Sequence, residues 1–182
     1  MTQTPPNLNI AVVGIRGYGA SYFNTLAKIP GARVVAICDL DKAAVDKIAK
    51  EHSIPQVYSD FNECLAKSGA DAMFIATPHF LHFPMVRDAL QAGKHVFCEK
   101  PLALDGKEAT TLARLSREAK RILSCHYNQR LHARGRFLRH WTKEKQLGSI
   151  YHAEARWMTR WTGFMVDPVT SWRTEARSSI PG

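Results

Sequence analysis

Asn9-Ile10-Ala11-Val12-Val13-Gly14-Ile15-Arg16-Gly17-Tyr18-Gly19 is the stretch from which this 182-residue chain is best read. Ile10 to Val13 is an apolar, mostly β-branched run, the composition of a strand buried on both faces. It empties into three glycines within six residues, where a tight turn forms and backbone N–H groups can approach a ligand closely. A helix follows, over Ala20 to Ile29, with Phe23, Leu26 and Ala27 on one face and Pro30-Gly31 as its stop.

Strand, glycine turn and helix N-terminus together make a cradle for a pyrophosphate. The spacing here is G-x-x-G-x-G, with Arg16 where the common dinucleotide fingerprint has its second glycine. Taken alone, the cluster therefore serves equally as a plain tight turn. Asp39 weighs toward the ligand. It closes a second apolar run, Ala32 to Cys38, about where an acidic side chain accepts hydrogen bonds from an adenosine ribose. No arginine stands beside it to neutralise a 2′-phosphate, which favours NAD over NADP, although Arg16 leaves NADP open.

The rest of the chain repeats the alternation. A helix is expected over Asp41–His52, a short strand over Gln56–Tyr58, and a helix from the Asp60/Glu63 capping box to Ser68-Gly69. Then come a strand over Ala72–Ala76, a helix over Pro84–Ala92 and a strand over His95–Cys98. Asp105 and Glu108 repeat the box before a long helix whose Leu112, Leu115 and Ala119 share a face with Ile122. Ile122–Cys125 reads as a sixth strand. Six such runs without a hairpin signal define an α/β fold with a doubly wound parallel sheet. Ligands of such sheets bind beyond the carboxyl ends of the strands. The residues that matter are thus Gly14, Asp39, Thr77-Pro78, Glu99-Lys100-Pro101 and Tyr127-Asn128.

A hydrophobic share of 45% fits a globular protein, and no run approaches the roughly twenty apolar residues of a membrane span. The N-terminus lacks a secretory pattern, so a cytoplasmic location is expected. Cys38, Cys64, Cys98 and Cys125 are widely spaced without a C-x-x-C pair, which points to buried reduced thiols and no metal site. The net charge of +9 is uneven: residues 1–100 hold ten Lys+Arg and nine Asp+Glu, and residues 101–182 hold fifteen and seven. Such an excess suits an anionic ligand, an acidic partner or nucleic acid.

Thr77-Pro78 with His82, Glu99-Lys100-Pro101, and Tyr127-Asn128 with Arg130, after a glycine-rich turn and an acidic strand end, resemble the glucose–fructose oxidoreductase, inositol dehydrogenase and MocA family. The resemblance covers nearly the whole chain, Trp172-Arg173 included. It implies a Rossmann-type domain over residues 1–127 and an NAD(P)-dependent oxidoreductase acting on a hydroxyl-bearing carbon of a sugar or cyclitol. Lys100 would be the catalytic lysine, its ammonium hydrogen-bonding the reacting oxygen. Arg16, Gly17, Tyr18, Gly19, Thr77, Pro78, His82, Glu99, Asn128, Trp172 and Arg173 would join Gly14, Asp39 and Lys100 around the cofactor. A cis peptide before Pro101 is expected to fix the direction of Lys100.

The same resemblance makes residues 128–182 the incomplete start of a second α+β domain, ending about where a D-x-G-x-H-like segment with a proton-transferring histidine would begin. A basic helix is expected over Leu131–Gln146, with Leu131, Phe137, Leu138 and Trp141 on one side, then a long strand over Ile150–Trp161. A lone strand must be covered, which implies a longer polypeptide or a homo-oligomer. Two other classes stay open: a non-catalytic NAD-binding sensor, and, on the basic helix, a nucleic-acid-binding module. The aromatics of that helix lie on its packing face instead of forming a stacking platform, which weighs against the second.

Overall fold

A computed structural model describes residues 7–16, 19–152 and 154. The described residues up to Phe137 form one compact unit and those from Leu138 another. The first unit is built on a six-stranded parallel sheet in the order β3-β2-β1-β4-β5-β6. Its strands are β1 Leu8–Val13, β2 Ala32–Cys38, β3 Gln56–Tyr58, β4 Ala72–Ile75, β5 His95–Cys98 and β6 Leu123–Cys125. The chain runs outward from β1 to β3, then returns across β1 to begin β4. The switch in direction therefore falls at the end of β1, where Gly14 lies.

Both faces of the sheet are covered, which is why β1 is apolar from Ile10 to Val13. Ile10 and Val12 pack with Phe23, Val45, Ala49 and Ile54 on one face. Ala11 and Val13 pack with Cys64, Val86, Leu90 and Leu112 on the other. The two-residue period of a strand makes this division. The helices are α1 Phe23–Leu26, α2 Lys42–Glu51, α3 Phe61–Lys67, α4 His82–Gln91, α5 Gly106–Glu118 and α6 Ala133–Lys143. Asp41, Asp60 and Asp105 begin α2, α3 and α5 by accepting the amides of Ala44, Glu63 and Glu108 at 3.1, 2.8 and 2.8 Å. All four cysteines are free; Cys38, Cys64 and Cys98 are buried and Cys125 is half-buried.

Several expected boundaries move. In place of one helix over Ala20–Ile29 there is a 3₁₀ turn over Gly19–Tyr22 and the four-residue α1. Tyr22 is tied to a distant strand end, and Ile29 precedes a proline that disfavours helical backbone. Helix α4 starts two residues before Pro84, a position that costs nothing because first-turn amides have no intrahelical acceptor. Ile122 is 69% exposed and precedes β6, so it does not continue the buried face of α5. Leu131 is 75% exposed and lies between a 3₁₀ turn over Asn128–Arg130 and α6. At its other end α6 stops early, with Lys145 in left-handed backbone at φ 53°. The strand expected over Ile150–Trp161 falls mostly outside the described residues; Ile150–His152 and Glu154 carry no strand.

Among the described residues no helix is long and apolar enough to cross a membrane.

Candidate functional site

Strand register assembles the site. Val13 pairs with Cys38 and with Ile75, Ile75 with Cys98, and Cys98 with Cys125, so five strands end on one line. The next residue of each donates its amide to the strand beside it. Gly14 donates to Cys38 at 2.9 Å, Ala76 to Val13 at 2.7 Å, Glu99 to Ile75 at 2.8 Å and His126 to Cys98 at 2.8 Å. Asp39 likewise donates to Tyr58 at 3.2 Å. Residues spread from 14 to 126 in sequence thus stand in one row along the carboxyl edge of the sheet.

The first loop of that row needs its glycines. Gly14 has φ 87°, and a Cβ there would lie 2.7 Å from the backbone of Ala76. A Cβ on Gly19 would lie 2.0 Å from the Gly14 carbonyl oxygen, so the chain folds back on itself within van der Waals contact. Asp39 secures the same loop from β2: one carboxylate oxygen accepts the Ile15 amide at 2.8 Å and the other accepts the Asp41 amide at 3.0 Å. Arg16 is exposed and paired with Asp41 at 3.0 Å. The hydrogen bond from the Ala44 amide, then the Arg16 guanidinium, holds the Asp41 carboxyl below the ordinary value of 3.8. A cradle that admits only glycine, with an acid bonded into it, fits a dinucleotide diphosphate and ribose. Gly17 and Tyr18 lie outside the described residues, as do Trp172 and Arg173.

His82 joins the loops after β4 and β5. Its side chain is fully buried, with Nδ1 2.5 Å from the Pro101 carbonyl and Nε2 2.8 Å from the Thr77 carbonyl. Both ring nitrogens are engaged by backbone carbonyls, so His82 ties together the two loops it joins. The neighbouring His79 has its ring pKa pushed below 6.5 by burial, then by the charges of His82 and Lys100. Thr77 Oγ1 lies 3.5 Å from Met85 Sδ, and Pro78 leads into a short 3₁₀ turn, His79–Leu81.

The Lys100–Pro101 peptide is cis, as the sequence led us to expect. Glu99 is 8% exposed yet ionised, because its partners outweigh its burial. Burial pushes the carboxyl up; hydrogen bonds from Tyr22, His126 and the Lys100 amide bring it below the ordinary 4.5. Tyr22 and His126 Nδ1 both meet Oε1, the latter at 2.8 Å, and the Lys100 amide donates to Oε2 at 3.1 Å. The Lys100 side chain is exposed and lines a cleft of about 430 Å³ with His126, Tyr127, Asn128, Gln129 and Arg130. A smaller cavity of about 210 Å³ lies at the start of β2, between Phe23 and His52, away from this row.

Sequence reasoning placed Gly14, Asp39, Glu99 and Lys100 on the row, with Thr77 and Pro78 one and two residues past Ala76. It missed Tyr22 and His126, whose only signal was proximity to the glycine turn and to Tyr127-Asn128.

Residues 8–127 match the family described as an oxidoreductase family with an NAD-binding Rossmann fold. An uncharacterised oxidoreductase of Synechocystis is 37% identical over 119 residues, covering 65% of this chain and 32% of the relative. A glycosyl hydrolase family 109 protein of Shewanella amazonensis is 28% identical over 187 residues, covering 96% of this chain and 41% of that one. The crystal structure of scyllo-inositol dehydrogenase from Lactobacillus casei with NAD(H) and scyllo-inositol superimposes with a TM-score of 0.72. Identity there is 26%, over 78% of this chain and 42% of the other. The chain therefore spans between about a third and two fifths of these proteins. With its glycine cradle, the acid bonded into it and a match that takes in every strand of the sheet, the chain belongs to this oxidoreductase family with its NAD-binding Rossmann fold.

Proposed function

We propose that this chain forms the cofactor half of an NAD-dependent oxidoreductase acting on a secondary alcohol of a sugar or cyclitol. The observation that carries the reading is the shared row: the Gly14 cradle, Asp39 and the Glu99-Lys100 pair stand at the ends of adjacent parallel strands. Gly14, Gly17 and Gly19, with Arg16 and Tyr18, would hold the diphosphate on backbone amides. Asp39 would accept the hydroxyls of the adenosine ribose. Thr77, Pro78, Glu99 and Asn128 would border the nicotinamide end, with Trp172 and Arg173 approaching from the segment after α6. Residues 1–127 would be the dinucleotide domain and 128–182 the start of the substrate domain.

The bound nicotinamide supplies a two-electron hydride acceptor or donor. Lys100 supplies an ammonium in the cleft, where no other charged group of the described residues pairs with it. There it can donate a hydrogen bond to the reacting oxygen and stabilise negative charge as the carbonyl forms or is reduced. A test is NADH binding by fluorescence, followed by NADH formation from a panel of polyols. Failure of the chain to bind NADH below about 1 mM would end the reading.

One observation favours a second reading. The similarity to the glycosyl hydrolase extends over 96% of this chain, while that to the Synechocystis oxidoreductase stops at 65%. Segment 128–182 therefore supports a glycosidase that uses the same cofactor. Release of nitrophenol from a nitrophenyl glycoside without accumulation of NADH distinguishes it. A non-catalytic NAD sensor would bind NADH and do neither. Self-association through residues 150–161 is checked by mass in solution.

A further inference from the structure

We infer that Asp41, acting through Arg16, selects the coenzyme: it holds that cation in an ion pair beside the ribose acid, so that the site takes NAD and turns away the 2′-phosphate of NADP. The role rests on the cofactor reading above, in which Asp39 receives the adenosine ribose, and it falls to an acid that the reading leaves aside.

Arg16, Asp39 and Asp41 belong to one closed ring of contacts. Asp39 Oδ2 accepts the Ile15 amide at 2.8 Å and its Oδ1 accepts the Asp41 amide at 3.0 Å. Arg16 follows Ile15 in the chain, and its Nη2 donates to Asp41 Oδ2 at 3.0 Å. The ring therefore runs from Asp39 to the glycine loop, across the guanidinium to Asp41, and back to Asp39. Asp41 Oδ1 accepts the Ala44 amide at 3.1 Å at the start of α2. The carboxylate that holds Arg16 is thus itself held. Its two partners both favour the charged form, so it is ionised at neutral pH. The Arg16 side chain is 78% exposed, which leaves the pair open to a ligand at Asp39.

Charge then decides between the coenzymes. A ribose 2′-hydroxyl donates to Asp39 and needs no cation. A 2′-phosphate only accepts, is repelled by both carboxylates, and needs a guanidinium to hold it. The cation of the ring is already engaged by Asp41. An exposed ion pair shifts an equilibrium by at most about fivefold, whereas a charge-assisted bond from arginine to phosphate is worth about ten- to a hundredfold. The pair alone is a light latch, and exclusion of NADP also needs the two carboxylates. Removing the charge of Asp41 loosens the latch and one repulsion together. Asparagine does this without disturbing α2, because its side-chain oxygen caps a helix as well as that of aspartate.

The experiment titrates NADH and NADPH by fluorescence into the full chain as wild type, Asp41→Asn, Arg16→Ala and the double variant, with a thermal melt of each. Wild type should bind NADH at least about tenfold more tightly than NADPH. Asp41→Asn should tighten NADPH by about 5- to 30-fold, leave NADH within about threefold, and melt within a few degrees of wild type. In the Arg16→Ala background the same change should tighten NADPH by less than about twofold, the signature of two residues that act as a pair. An equal gain in both backgrounds overturns the role of Arg16. No gain in Asp41→Asn leaves Asp41 as the cap of α2 alone and overturns the inference, as does a wild type that binds NADPH as tightly as NADH. When NADH binds and the cycle is additive, this inference alone fails. When wild type binds neither coenzyme below about 1 mM, the cofactor reading fails and carries the inference with it.

Discussion

The amide of Ile15 donates to Oδ2 of Asp39 at 2.8 Å, so the glycine turn and the acid at the end of the second strand are one hydrogen-bonded unit. An Asp39→Ala change removes the proposed ribose acceptor together with the brace on the turn. NADH affinity should fall about 10- to 100-fold, the scale of one or two hydrogen bonds to a charged group. NADPH should lose less, since the 2′-phosphate is relieved of a nearby carboxylate. Fluorescence titration of both reduced cofactors, with a circular dichroism melt as control, checks the two effects separately. Equal losses for NADH and NADPH would contradict the ribose assignment.

Gly14 and Gly19 are expected to tolerate no side chain. At Gly14 an alanine pays roughly 1–3 kcal/mol for left-handed backbone alone, before its Cβ meets Ala76 at 2.7 Å. At Gly19 the clash is with the Gly14 carbonyl at 2.0 Å, so the turn must open. Both variants should melt several degrees lower and lose cofactor binding. Gly106, with nothing within 4 Å of its would-be Cβ, is the control and should melt within a few degrees of wild type as alanine.

Replacing His82 by alanine removes a ring whose nitrogens lie 2.5 Å from the Pro101 carbonyl and 2.8 Å from the Thr77 carbonyl, so that at least one half-buried carbonyl loses its donor. The expected cost is about 1–3 kcal/mol for the carbonyl left without a donor, plus the void left by the ring. Urea denaturation measures it. Because His82 ties these two loops together, the Kd for NADH should rise together with the loss of stability. A loss of affinity at unchanged stability would instead point to direct contact of His82 with the cofactor.

Acid should destabilise the first unit in two steps. His79 is held below 6.5, so the unfolded chain takes up its proton first and stability declines as pH falls through and below 6.5. Glu99 and Asp41 are held below 4.5 and 3.8; their stabilisation is present above those values and is lost as pH falls through the lower folded values. Chemical denaturation at intervals from pH 8 to 3 should show both phases, and His79→Gln should remove the first. Stability that stays flat from pH 8 to 5 in the wild type would contradict this account of His79.

Much of this was legible in the residues because it is set locally. Strands two, three and five begin and end where their apolar runs do, and Asp41, Asp60 and Asp105 cap their helices by a contact three residues long. What failed depends on partners far away in sequence. Tyr22 meets Glu99 across 77 positions and His126 across 104, and no local pattern signals either. The helix after the glycine turn was overestimated for the same reason, its start being held by a distant strand end. His82 looked like a lone polar residue at a helix start because the carbonyl of Pro101 becomes its neighbour only once the sheet has formed.

The order of the sheet carries one more consequence. Its outermost members are β3 and β6, three residues each, while the longest strands, β1 and β2, are interior. A sheet's rim is where a foreign chain can zip on and seed aggregation, and such recruitment needs a run of open backbone groups. With rims this brief, Gln56–Tyr58 and Leu123–Cys125 offer little purchase for a fourth or fifth rung, and the ligand-bearing centre is kept furthest from any such misassembly.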